Sequence, residues 1–206
     1  MMLLKVGLTG GIACGKSTVA EMLSSFGCFI FDADKEVRSL LVKGSPVYKE
    51  VLCSFGEKML TDKGEIDRRK LASLVFSNGE KRRELEEIVH PMVMAREEEW
   101  WRELDAIHPE AIAVTDAPLI VEKGLISRYH RLVVVISSPS LQLERLMEKG
   151  LSKKEAELRM SAQLPLKEKV RYAHYVVENN GDLSELREKV GALYHFLLSE
   201  LKSMNQ

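Results

Sequence analysis

The run Gly10-Gly11-Ile12-Ala13-Cys14-Gly15-Lys16-Ser17-Thr18 contains the spacing G-x-x-x-x-G-K-[ST]. Glycines such as Gly11 and Gly15 let a backbone curl until successive N–H groups point inward at a phosphate, with the positive end of the next helix behind them. Lys16 would then reach the β- and γ-phosphates, and the Ser17 hydroxyl would meet the magnesium ion that bridges them. Four fixed positions recur by chance in roughly one chain in a hundred of this length. The expected ligand is a nucleoside triphosphate, ATP.

Such a loop needs a buried strand before it and a helix after it. Leu3 to Thr9 reads as a short apolar strand broken by one lysine, and Val19, Ala20, Leu23 and Phe26 recur at helical spacing. Further apolar runs, Cys28 to Phe31, Ala111 to Thr115, Leu132 to Ile136 and Tyr175 to Val177, alternate with helical stretches. Val/Ile-rich runs of this kind indicate strands covered on both faces, hence an α/β fold with a parallel sheet. Ser138-Pro139, Ser152 to Glu155 and Asp182 to Glu185 mark helix starts. The last opens a C-terminal helix to about Met204, whose Leu186, Val190, Leu193, Phe196, Leu197 and Leu201 form a sheet-facing stripe.

About 75 residues separate the second and third strands, far more than one crossover helix requires. They read as helices over 35–43, 47–55 and 69–76, then a long stretch from 80 to 107 that His90-Pro91 should kink or restart. The insertion, about 35–108, is expected to be a helical subdomain for a second substrate. The polar helices joined by Gly150 and Pro165, about 146–170, could close over ATP as a lid.

With 206 residues the chain can bury a full core, which favours one domain carrying insertions. Thirty basic against 31 acidic side chains leave a formal net charge of −1. That balance gives no reason to expect nucleic acid or a membrane as partner. Cys14, Cys28 and Cys53 form neither a disulfide framework nor a C-x-x-C metal pair, and no signal peptide or 18-residue apolar run is visible. A cytoplasmic location is expected, with small-molecule partners and a monomer or weak homo-oligomer.

Chemistry beyond triphosphate binding must come from the carboxyl ends of the strands, where ligands sit in doubly wound sheets. Asp32 and Asp34 follow the second strand, Asp116 the third and Ser137 the fourth. Transfer to an alcohol needs a proton acceptor and cations around the phosphoryl oxygens. Asp34 is the candidate base, with Asp32 its competitor and a helix N-cap the alternative role. Asp116 occupies the place of a magnesium-holding carboxylate, or else caps the turn at Pro118. Arg145 and Arg159 are the candidate cations, whereas Lys149, Lys153, Lys154 and Lys167 read as a solvated face. A GTP-dependent switch should carry D-x-x-G and N-K-x-D, and neither is found.

Several of these pieces, in order, resemble the dephospho-CoA kinase family. They are Gly7 to Ile12 leading into Gly15 to Thr18; Asp32-Ala33-Asp34; Gly64 to Arg68 with Leu71 and Val75-Phe76; Leu85 and Ile88 before His90-Pro91; Asp116 to Glu122; Gln142 and Arg145; and Asn179-Asn180-Gly181. The resemblance implies a three-layer P-loop kinase core with a five-stranded parallel sheet, a helical substrate domain and a lid. It also implies ATP-dependent phosphorylation of the ribose 3′-hydroxyl of dephospho-coenzyme A, the last step of coenzyme A biosynthesis. By position it puts the base on Asp34, the lid arginine on Arg145, the ATP loop on Ala13 to Thr18, and Asn179 or Asn180 near the adenine. Arg68 and His90 become substrate-pocket candidates, although His90 also reads as a packing histidine. The family commonly has Gly-Ser where this chain has Ala13-Cys14, so Ala13 must adopt a backbone suited to glycine. Another small-metabolite or nucleoside monophosphate kinase on the same core is the alternative.

Overall fold

In the computed structural model, residues 2–206 are described. They divide into two compact units, one comprising the chain up to Asp32 with Trp101–Gln206, the other Ala33–Trp100.

The first unit is built on strands β1 (Leu4–Gly10), β2 (Phe29–Asp32), β3 (Ile112–Asp116), β4 (Arg131–Ile136) and β5 (Tyr175–Glu178). All pair in parallel, in the order β2-β3-β1-β4-β5. The α/β class and the five-stranded parallel sheet are thus as the apolar runs indicated. Strand limits shift by a residue or so: Asp32 and Asp116 are the last residues of their strands, paired with each other, rather than the first beyond them. Leu8 pairs with Asp116 and Gly10 with Val135, so the functional strand ends share one edge of the sheet.

β1 is central and buried except at Lys5, which explains why its sequence is continuous rather than alternating. Leu4, Val6 and Leu8 pack with Val114, Val133, Val135 and with helices α1 (Lys16–Ser25) and α9 (Leu183–Met204). On α9 the stripe Leu186, Val190, Leu193, Leu197 and Leu201 is buried, and Asp182 caps the helix by accepting the Glu185 N–H. Between β4 and β5 run α6 (Pro139–Glu148), α7 (Lys153–Ser161) and α8 (Leu166–Val170). Ser138 caps α6 ahead of a first-turn proline, and Ser152 with Glu155 closes a full capping box on α7. Trp101, 2 % exposed, is a packing residue: Tyr129 meets it edge-on at 5.9 Å and the Lys5 ammonium lies 4.2 Å from its ring centroid.

The second unit holds α2 (Ala33–Leu40), α3 (Pro46–Phe55), α4 (Arg68–Ser77) and most of α5 (Gly79–Ile107). Its own core joins Leu40, Val47, Val51, Phe55, Leu71 and Val89. Here the break expected at His90-Pro91 does not occur: α5 is one helix with Pro91 inside it. Proline forfeits one backbone hydrogen bond and crowds the preceding turn. Buried Val89 and the adjoining Ile88, Met92 and Val93, all packed into that core, hold both flanking turns in place.

Candidate active site

The loop between β1 and α1 has the backbone its sequence demands. Gly15 has φ 84°, and a side chain there would collide with the Asn179 amide. Ala13 has φ 59°, the left-handed region that favours glycine. Ala13 therefore does take the glycine-like conformation, at a strain of about 1 kcal/mol. Cys14 is fully buried; burial raises its thiol, while its carbonyl accepts from Asn179 Nδ2 at 2.9 Å. A buried, protonated sulfur is a small packing group and not a reactive one.

Lys16 opens α1, and its ammonium forms an ion pair with the Asp116 carboxylate at the end of β3. Asp116 is 6 % exposed, and burial of this kind requires a partner. Asp116 thus meets the loop lysine. Ser17 and Thr18 follow in the first turn of α1, with Ser17 exposed.

Beyond β4 and β5 lies a polar frame. Ser137 Oγ donates to the Asn179 carbonyl at 2.7 Å. Arg145 bridges three groups: Nη1 donates to the Ala13 carbonyl at 3.2 Å and to Ser137 Oγ at 2.9 Å, and Nη2 to the Asn179 carbonyl at 3.2 Å. Asn180 Oδ1 accepts the Ser138 N–H at 2.8 Å. Ala13, Gly15, Thr18, Arg145 and Asn179 line a cleft of about 780 Å³, large enough for a nucleoside. Lys149 also borders it, whereas Lys153, Lys154, Lys167 and Arg159 are exposed, as a solvated face would be.

Within the second unit, Asp34 lies in the first turn of α2 and is exposed. The helix starts at Ala33 immediately after the strand, so Asp32 ends β2 and Asp34 already belongs to α2. Arg38 Nε donates to the Asp34 carbonyl at 3.1 Å, and Arg68 Nη2 to the Arg38 carbonyl at 3.2 Å, so Arg38 links two of the residues singled out. His90 is half-buried on α5 beside Val89.

Three buried or half-buried polar side chains complete the loop's support. Gln142, recognised only within the resemblance, donates to the Ile12 carbonyl at 2.7 Å and to Cys14 Sγ at 3.2 Å. Gln163 and Lys169 escaped sequence reasoning. Gln163 Oε1 accepts the Ile12 N–H at 2.8 Å, and Lys169 donates to the carbonyls of Gly10 and Pro118. Nothing in their spacing distinguishes them from surface residues.

A family model described as dephospho-CoA kinase matches residues 4–185. A dephospho-CoA kinase of Aquifex aeolicus is 41 % identical over 193 residues, which cover 94 % of this chain and 97 % of the relative. One of Geobacillus kaustophilus is 40 % identical over 195 residues, covering 93 % and 96 %. Among solved structures, a Thermus thermophilus protein aligns with TM-score 0.81 at 33 % identity, covering 96 % of this chain and 99 % of its own. The dephospho-CoA kinase of Campylobacter jejuni aligns with TM-score 0.63 at 26 % identity, covering 96 % and 98 %. A shikimate kinase of Acinetobacter baumannii shares the fold at TM-score 0.55 and 18 % identity, covering 96 % and 94 %. By the family match over most of its length and the identity to these relatives, the chain belongs to the dephospho-CoA kinase family, whose members phosphorylate dephospho-CoA with ATP in coenzyme A biosynthesis.

Proposed function

We propose that the γ-phosphoryl group of ATP passes to the ribose 3′-hydroxyl of dephospho-CoA, with Asp34 taking the hydroxyl proton. The observation that carries the reading is the ion pair between Lys16 and Asp116, which joins the phosphate-loop cation to a strand-end carboxylate. Main-chain amides from Ala13 to Thr18 cradle the phosphates, and Lys16 offsets charge on the transferring group. Asn179 lines the cleft beside Ala13 and Gly15, which supports it, with its neighbour Asn180, as the adenine side. Arg145 supplies a cation beside the loop, and Arg68 and His90 belong to the acceptor's pocket. The segment 146–170 acts as the lid, and 35–108 as the acceptor-binding insertion.

Ser17 and Asp116 present a hydroxyl and a carboxylate, hard oxygen donors that suit magnesium. These two residues would hold the ion, directly or through water, and when bound it neutralises charge between the β- and γ-phosphates. The enzyme works in the cytoplasm, as a monomer or weak homo-oligomer.

Coupled ADP release measured with AMP, CMP, shikimate, pantetheine and dephospho-CoA tests the reading. Turnover with dephospho-CoA alone is expected, and turnover of a nucleotide monophosphate without it would overturn the assignment. In the same assay Asp34→Asn should lose about 10² or more in kcat while still binding ATP. A near-parental rate removes Asp34 from the role.

A further inference from the structure

Lys169, on α8, is completely buried. Its ammonium donates to the Gly10 carbonyl at 3.1 Å and the Pro118 carbonyl at 2.9 Å, and lies 2.7 Å from Glu122 Oε1. Two hydrogen bonds of the ammonium are thus spent on main-chain carbonyls, and the carboxylate stands beside it as an ion pair. Neither Glu122 oxygen has a hydrogen-bonding partner among the described residues, so the ammonium is what balances that carboxylate.

The two carbonyls have a particular address. Gly10 is the last residue of β1 and the first of the phosphate loop, and Pro118 lies two residues past Asp116. Pro118 is held from β1 as well, since Thr9 Oγ1 donates to the same carbonyl at 2.9 Å. On its other side Gly10 is pressed against β4: a Cβ there would lie 2.5 Å from the Val135 carbonyl oxygen. One side chain therefore ties the entrance of the loop that carries Lys16 to the turn that follows Asp116. A well-packed apolar pair would replace the two charges at little cost, because burying two charges costs about what their attraction returns, although it would take the donor from the two carbonyls. What an apolar pair could not do is hold two main-chain carbonyls at a set spacing.

We infer that Lys169 is a positioning residue: by gripping the Gly10 and Pro118 carbonyls it sets the phosphate loop against the Asp116 turn, and this spacing governs affinity for the triphosphate. The inference rests on the reading of Gly10 to Ser17 as the ATP cradle and does not depend on which alcohol accepts the phosphoryl group.

The test is equilibrium binding of ATP, followed calorimetrically, alongside thermal unfolding. Lys169→Met combined with Glu122→Leu removes both charges and both carbonyl bonds. It should stay folded yet bind ATP about tenfold or more weakly, because the loop is no longer held at the spacing that receives the triphosphate. Lys169→Arg keeps the charge and the donors and should bind ATP within about threefold of the parent. In steady state the double variant should show a raised KM for ATP with the KM for dephospho-CoA unchanged. Parental ATP affinity in the double variant overturns the inference. So does an Lys169→Arg variant that folds normally but binds ATP as weakly as the double variant, and this arm decides the matter if the double variant does not fold. If the parent binds ATP but does not phosphorylate dephospho-CoA, the acceptor assignment fails while the Lys169 result stands.

Discussion

Lys16 and Asp116, a hundred positions apart in sequence, neutralise each other at the carboxyl edge of the sheet. Both side chains are largely buried, 14 % and 7 % exposed, so neither charge is well served by water. Asp116→Asn should cost about 3 kcal/mol of stability, because a buried cation loses its partner. ATP supplies a substitute counter-charge at Lys16. The rise in melting temperature on adding ATP without magnesium should therefore be larger for Asp116→Asn than for the parent. An equal or smaller rise would mean that the pair does not set the state of Lys16.

Ala13 is the described non-glycine residue with positive φ. Ala13→Gly removes the Cβ from a left-handed backbone and should stabilise the protein by about 1 kcal/mol, less the extra freedom glycine gains when unfolded. Urea denaturation midpoints of the two proteins measure it; a lower midpoint for the glycine variant contradicts the backbone assignment.

Arg145 braces Ala13, Ser137 and Asn179 with one guanidinium. Lysine cannot reproduce a planar fork spread over three acceptors. Arg145→Lys should accordingly raise the KM for ATP by about tenfold, and Arg145→Met by more, with the KM for dephospho-CoA less affected. A parental KM for ATP in Arg145→Met would leave the arginine outside the nucleotide site.

Burial pushes the Cys28 thiol from its ordinary 9.0 up to about 12. The folded protein then holds this proton more tightly than the unfolded chain. The associated stability is complete below pH 9.0 and is lost as the pH climbs toward about 12. Denaturation at about pH 8 and about pH 10.5, either side of the unfolded thiol's titration, should show a fall approaching about 1.4 kcal/mol per pH unit from this group. Cys28→Ala should show a shallower fall, and an identical one would exclude the thiol as its source.

Periodicity located the sheet because its strands are buried on both faces and leave long Val/Ile runs. It located the phosphate loop because glycine, lysine and serine are needed there at fixed spacing. It misjudged α2 by starting the helix at Lys35 rather than Ala33; the acidic residues Asp34 and Glu36, favourable beside a helix N-terminus, were the available signal that a helix begins at Ala33. Pro91 misled for the opposite reason, since a local rule was outweighed by packing of the residues around it. Lys169 was invisible in kind. It stands in Leu166-Lys167-Glu168-Lys169-Val170, where Lys167 is exposed and Lys169 buried, and only tertiary partners tell the two apart.

The central strand is also made before the four others of its sheet. Its register joins Leu4 to Ile112 on one side and Val6 to Arg131 on the other, so no neighbouring strand exists until the chain has been made at least as far as Ile112. Until then a nearly uncharged β segment waits unpaired, and the loop behind it has nothing to be shaped against. Assembly is dominated by distant pairings, which makes folding slow and the nascent chain prone to self-association. Chaperones that shield this strand until its partners arrive should therefore raise the yield of active enzyme more than they raise the stability of the finished one.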